Sequence, residues 1–124
     1  MKILSMPAGA TQTTYTDTFT IPVSSTASRI LGISPKNGTF VASVRISFAT
    51  ATTVSSASFN DCKVTIGGTD YALWGHQTSP VTGSVSFVDF QITGPVSQSD
   101  ALSVNIRNTS GSIVRTCDIT ILIG

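Results

Sequence analysis

The chain has 124 residues, of which seven are lysine or arginine and six are aspartate, with no glutamate, so its formal net charge is +1. The basic residues are spread along the sequence, which argues against a phosphate-binding stripe and therefore against nucleic-acid binding. Hydroxyl groups take the place of charge, with 18 serines and 19 threonines, a composition that favours strands and turns over helices. The length predicts one domain with a single core.

Residues 1–14 are predicted to form an N-terminal arm with an apolar patch at Ile3, Leu4 and Met6. The apolar run is interrupted by Ser5 and is shorter than the ~7 to 15 residues of a signal peptide's hydrophobic region, so no signal peptide is predicted. No run approaches the ~20 apolar residues of a membrane span, so no membrane partner is predicted. We expect a chain made in the cytoplasm of the cell that produces it, with an arm that reaches a neighbouring molecule.

A single β-sandwich domain is predicted over residues 15–124. Turn residues separate short runs in which apolar and polar residues alternate, the pattern of an all-β sandwich or barrel. The predicted strands are Tyr15–Val23, Arg29–Ile33, Thr39–Ala49, Cys62–Ile66, Thr69–Trp74, Ser84–Ile92, Ala101–Asn108 and Ile113–Ile123. About eight antiparallel strands in two sheets favour a jelly-roll-like sandwich, and an immunoglobulin-like sandwich, which needs one strand fewer, is the alternative.

Several turns and strands carry more local signals. Gly67-Gly68 can supply the positive φ values of a two-residue hairpin between the fourth and fifth strands. The apolar side of the sixth strand changes near Phe87, which a β-bulge or burial on both faces would explain. The last two strands are predicted to form a hairpin, with Cys117 facing the core. Leu122 lies on the opposite face, where a neighbouring subunit is expected to cover it.

The two cysteines, Cys62 and Cys117, each fall in phase with core-facing residues of their strands. Buried free thiols are the favoured interpretation, because buried cysteine behaves as a small hydrophobe. A disulfide between them is the alternative, and it requires adjacent strands and an oxidising compartment. Two cysteines and one histidine are too few and too scattered for a structural zinc site, so no metal or cofactor is predicted.

Catalytic motifs are missing from the sequence. The single histidine, His76, lies in a turn-like segment, and no local signature selects a nucleophile among the serines. The aspartates show no spacing that would pair two carboxylates for glycoside hydrolysis. The chain is therefore predicted not to be an enzyme, and no catalytic residue is assigned.

A contact surface is predicted around residues 70–77, because Tyr71, Trp74 and His76 combine apolar area with polar tips. The alternative places Trp74 in the core, where it would cap one end of the sandwich. The full set of predicted interface residues is Ile3, Leu4, Met6, Trp74, His76 and Leu122.

The eight short strands, the glutamate-free and hydroxyl-rich composition and the segments "PVSSTASRILGI" and "NTSGSIVRTCDITILIG" are similar to those of small jelly-roll virion proteins of bacterial and archaeal viruses. The resemblance implies a capsid, decoration or spike subunit located in the virion. Such a subunit would assemble with itself, with a trimer favoured, and with other virion proteins. The alternative is a carbohydrate-binding module or receptor-binding fibre head that binds a glycan through Tyr71, Trp74 and His76.

Overall fold

Alternating apolar and hydroxyl side chains form eight strands in the computed structural model, which describes residues 13–124. The strands are β1 Thr13–Ile21, β2 Thr26–Ile33, β3 Gly38–Thr53, β4 Lys63–Ile66, β5 Thr69–Ala72, β6 Ser84–Val96, β7 Ala101–Arg107 and β8 Arg115–Ile123. A short 3₁₀ helix, Ser56–Phe59, connects β3 to β4. All eight predicted strands are confirmed. β3 and β6 extend beyond their predicted ends, to 16 and 13 residues.

The chain is one long antiparallel hairpin rolled into two sheets. β1 pairs with β8, β2 with β7, β3 with β6 and β4 with β5. The hairpin closes at Gly67 and Gly68, whose φ angles of 56° and 86° confirm the predicted two-residue turn. The first sheet has the order β1-β8-β3-β6 and the second the order β2-β7-β4-β5. This arrangement is a jelly roll, so that prediction is confirmed over the immunoglobulin-like alternative.

The predicted hairpin between the last two strands is wrong, because β7 belongs to the second sheet and β8 to the first. The connection between them crosses from one sheet to the other and is held by Asn108, which is buried at 1% exposure. Its Nδ2 donates to the carbonyls of Ile21 at 3.2 Å and Ile113 at 2.9 Å, and its Oδ1 accepts from the amide of Ser110. These bonds satisfy the buried backbone at the crossing.

The core lies between the inner faces of the two sheets. Its buried residues from the first sheet are Phe19, Ile21, Phe40, Ala42, Val44, Ile46, Phe48, Val88, Phe90, Ile92, Val96, Cys117, Ile119, Ile121 and Ile123. Those from the second sheet are Val64, Ile66, Leu102, Val104 and Ile106. Each buried Val, Leu, Ile or Phe contributes roughly 1.5–3 kcal/mol, so these strands hold their register through the core.

The change of side in β6 occurs at Phe87, as predicted, and a register shift accompanies it. Ser47 pairs with Phe87, and the next pair joins Thr52 to Val85, so residues 48–51 of β3 lie opposite a single residue of β6. The extra residues therefore lie on β3 rather than on β6. Phe87 is 43% exposed on the outer face, whereas Val88 is buried.

Candidate functional site

The outer face of the first sheet is a regular grid of side chains. Residues that alternate with the core positions align in rows across β1, β8, β3 and β6. The four rows are Thr14, Leu122, Val41 and Thr93; Thr16, Thr120, Ser43 and Gln91; Thr18, Asp118, Arg45 and Asp89; and Thr20, Thr116, Ser47 and Phe87. Most of these side chains carry hydroxyl groups, and we call the surface the hydroxyl face.

The third row carries all the charge of the hydroxyl face. Arg45 lies between Asp89 on β6 and Asp118 on β8. Its Nε and Nη2 donate to the two carboxylate oxygens of Asp89 at 2.8 and 2.9 Å, and the hydroxyl of Thr18 donates to Asp118 at 2.7 Å. The hydrogen bond to Asp89 is the main cause that raises the pKa of Arg45, and desolvation opposes it. The guanidinium is therefore both charged and fixed in orientation.

Arg45 also lies over the ring of Phe87, with its guanidinium carbon 3.9 Å from the ring centroid, a cation–π contact. Beside it runs a groove of about 480 Å³, which we call the Arg45 groove. The groove is lined by Ser43, Val44, Arg45, Thr78, Asp89, Phe90, Gln91 and Asp118. A hollow of about 260 Å³ continues past Thr78 and Asp89 along apolar side chains that include Pro80 and Phe87.

A second candidate surface lies at the edge of the second sheet. Ile30 is 83% exposed and Ile33 is 54% exposed, and both belong to β2. β2 pairs only with β7, so its outer backbone edge has no strand partner within residues 13–124. An open edge strand with apolar side chains is a template for contact with another chain. We call Ile30 and Ile33 on this strand the isoleucine edge.

The predicted aromatic surface is divided between the core and the solvent. Tyr71 and Trp74 are half-buried against the core, where Tyr71 meets Phe40 edge-on at 5.3 Å and Trp74 stacks on Phe59 at 5.4 Å. His76 is exposed, with Nδ1 2.9 Å from the carbonyl of Ala72. The structure therefore supports the core-capping alternative for Trp74, and the three side chains do not form one exposed platform.

The backbone next to His76 extends the first sheet. The amide of Gln91 donates to the carbonyl of His76, and the amide of Thr78 donates to the carbonyl of Asp89, both at 3.0 Å. This segment lies along β6 and places Thr78 at the rim of the Arg45 groove. A contact role for His76 stays a prediction.

The remaining predicted interface residues are Leu122 on β8 and three residues of the predicted N-terminal arm. Leu122 is half-buried on the hydroxyl face, in register with Thr14 and Val41. Its coverage by a neighbouring subunit stays a prediction. Ile3, Leu4 and Met6 lie outside the described residues, and β1 begins two residues before its predicted start.

Both cysteines are buried free thiols, Cys62 at 2% exposure and Cys117 at 0%. The structure therefore contains no disulfide between them. Burial raises the pKa of both thiols, that of Cys117 to about 12. Because the thiolate is the reactive form, neither cysteine is a nucleophile near neutral pH in the folded chain.

One charged side chain, Arg115, is buried on the inner face of β8 at 3% exposure. Its Nη1 donates to the carbonyls of Ser58 at 2.7 Å and Arg107 at 3.0 Å, and its Nη2 donates to the hydroxyl of Thr109 at 3.1 Å. Nε has no hydrogen-bond partner in the described part of the chain. Burial lowers the pKa of Arg115. The sequence did not reveal this position, because charged residues are almost never fully buried without a charged partner.

No group of three or more histidine, cysteine or acidic side chains within residues 13–124 is arranged to hold a metal ion. Within the same range, no helix has the length and apolar character needed to cross a membrane.

The fold and these surfaces define an all-β jelly-roll protein. No family model and no curated protein matches the sequence. Among solved structures, the chain is similar to the CBM36-1 domain of a multidomain xylanase from the hindgut metagenome of Trinervitermes trinervoides, at 12% identity and a TM-score of 0.44, over 91% of this chain and 97% of that chain. It is also similar to the capsid asymmetric unit of cyanophage Pam1, at 11% identity and a TM-score of 0.39, over 91% of this chain and 84% of that chain.

Proposed function

We propose that this chain is a structural subunit of a virus particle, a capsid or capsid-decorating protein that acts by protein–protein assembly and not by catalysis. The observation that carries the proposal is the isoleucine edge, where Ile30 is 83% exposed on a strand whose outer side is open. Full burial of an exposed isoleucine contributes roughly 1.5–3 kcal/mol, of which Ile30 at 83% exposure leaves most unrealised and Ile33 at 54% leaves about half. A neighbouring subunit that covered the edge would gain this burial free energy on association.

The charge next to Ile30 is neutralised within the chain. Arg29, the residue before Ile30 on β2, is paired with Asp17 at 3.5 Å. A second copy that approaches Ile30 therefore meets a paired arginine and not a free cation. The surrounding hydroxyl side chains lose less on desolvation than charged ones would. A trimer in the virion is the form that the resemblance to small jelly-roll virion proteins implies.

Sedimentation velocity of the full-length chain over a range of concentrations tests the assembly. The double variant Ile30→Thr, Ile33→Thr keeps β-branched side chains, so the strand is preserved while the apolar area is lost. We expect the wild type to be oligomeric and the double variant to associate at least about tenfold more weakly. Val114→Thr is the matched control, since Val114 is also an exposed apolar residue, at 36%, outside the edge.

Wild-type chains that stay monomeric at the highest attainable concentration, or a double variant that assembles as the wild type does, would contradict this role.

A variant without residues 2–12 tests the predicted arm, and we expect weaker assembly with an unchanged fold because β1 begins at Thr13.

An electron-microscopy map of the particle that contains the chain tests the virion role. The expected result is a jelly roll in or on the shell with the isoleucine edge at a subunit contact.

A further inference from the structure

The Arg45 groove lies on the outside of the first sheet, whereas the isoleucine edge belongs to the second sheet. We propose that the Arg45 groove binds a neutral glycan. This is a binding function separate from assembly, and Tyr71, Trp74 and His76 line neither the groove nor the hollow beside it. The charge of the groove, its free polar groups and the apolar hollow beside it all favour such a ligand.

The charge of the groove disfavours ionic ligands. Its one guanidinium, Arg45, is already bound by both oxygens of Asp89, and Asp118 adds a second carboxylate to the same row. An incoming phosphate or carboxylate would meet two negative groups and a cation that is already neutralised. A neutral ligand avoids this repulsion and can still accept a hydrogen bond from the arginine.

Four polar groups around the groove are free to bind such a ligand. The pair with Asp89 uses Nε and Nη2 of Arg45, and its Nη1 makes no hydrogen bond within residues 13–124. The side chains of Ser43, Thr78 and Gln91 also make none in that range. They combine donors and acceptors, which matches sugar hydroxyls because each of these both donates and accepts. The bound pose would be fixed by few but directed contacts.

The adjoining hollow supplies the apolar half of the site. Its lining includes Pro80, Val81, Val85 and Phe87, and it meets the groove at Thr78 and Asp89. A sugar ring presents both hydroxyls and apolar C–H groups, so an extended glycan can follow polar and apolar lining in turn. The strands that carry the groove are held by the core and Arg45 is held by two contacts, so little ordering is needed on binding.

The test is a glycan array of neutral oligomers of glucose, galactose, mannose and xylose probed with the full-length chain, followed by calorimetry with the best ligand. We expect Arg45→Gln and Phe87→Thr each to weaken binding at least about tenfold. Lys63→Gln is the matched control, because Lys63 is also a partly exposed cation paired with an aspartate, Asp70 at 3.0 Å, but lies outside both the groove and the isoleucine edge. Its affinity should stay close to that of the wild type.

Circular dichroism of each variant shows that the sandwich is retained. The array also carries sulfated and sialylated glycans, which we expect to bind more weakly because of Asp89 and Asp118. A stronger response to these anionic glycans would overturn the inference of a neutral ligand. The lack of any neutral ligand, or neutral binding that both Arg45→Gln and Phe87→Thr leave intact, would overturn the site itself.

Discussion

The two faces of the first sheet hold positive charge in opposite ways. On the outer face, Arg45 is about half exposed and is paired with Asp89 through two hydrogen bonds. On the inner face, Arg115 is buried and bonds only to neutral oxygens, while the rings of Phe48 and Phe59 lie 5.5 and 5.2 Å from its guanidinium carbon. The outer arginine stays hydrated and keeps one nitrogen for a ligand, whereas the inner arginine connects parts of the fold through its hydrogen bonds.

The position of Arg115 explains why the fold retains a buried charge. Taking an ion out of water costs several kcal/mol unless hydrogen bonds compensate for it. Through Ser58, Arg107 and Thr109, the guanidinium joins the 3₁₀ helix, the end of β7 and the connection to β8. These segments meet at the end of the sandwich where the chain crosses between sheets. Arg115 therefore holds the crossing together, in addition to the bonds made by Asn108.

The largest difference that we expect between the two arginines is in their contribution to the stability of the fold. Arg115→Met keeps most of the side-chain volume but leaves the carbonyl of Ser58 without this donor and removes one donor from that of Arg107. We expect the free energy of unfolding to fall by roughly 2–4 kcal/mol. Urea unfolding followed by circular dichroism measures the change.

The control is the same substitution on the outer face. Arg45→Met removes an exposed pair, and exposed ion pairs contribute little to stability. Its urea midpoint should therefore stay near that of the wild type. Equal losses at Arg115 and Arg45 would contradict the assignment of one arginine to the fold and the other to a binding site.

Strand alternation was enough to predict the faces of the strands. Alternation places Cys117 on the inner side of β8 and Leu122 on the outer side, and the structure has both there. The glycine pair at 67–68 gave the hairpin because two consecutive positive φ values are unfavourable for most other residues. These are local signals, and each depends on residues that are close in sequence.

Pairing between distant strands left no such signal. The faces of β7 and β8 were predictable, but the sheet to which each belongs follows from the rolling of the whole chain, so the predicted hairpin was wrong. The Arg45 groove was missed for the same reason, because Arg45 and Asp89 are 44 residues apart. The aromatic side chains of Tyr71 and Trp74 predicted a contact surface. Their contacts with Phe40 and Phe59, which the sequence does not reveal, show that both side chains are partly buried in the core.

A smaller effect on stability is expected at Cys117, which lies on the same inner face of β8 as Arg115. It tests whether that face excludes charge, as the outer face does not. Burial raises the pKa of this thiol from 9.0 to about 12, so that between these values the unfolded chain loses the thiol proton while the folded chain keeps it. The contribution to stability is complete below pH 9 and falls by about 1.4 kcal/mol per pH unit above it.

Cys117→Val removes the titrating group and keeps an apolar side chain. We expect the free energy of unfolding of the wild type, relative to Cys117→Val, to fall by about 1.4 kcal/mol between pH 7 and pH 10. A difference between the two proteins that does not change with pH would mean that the inner face does not exclude charge at this position.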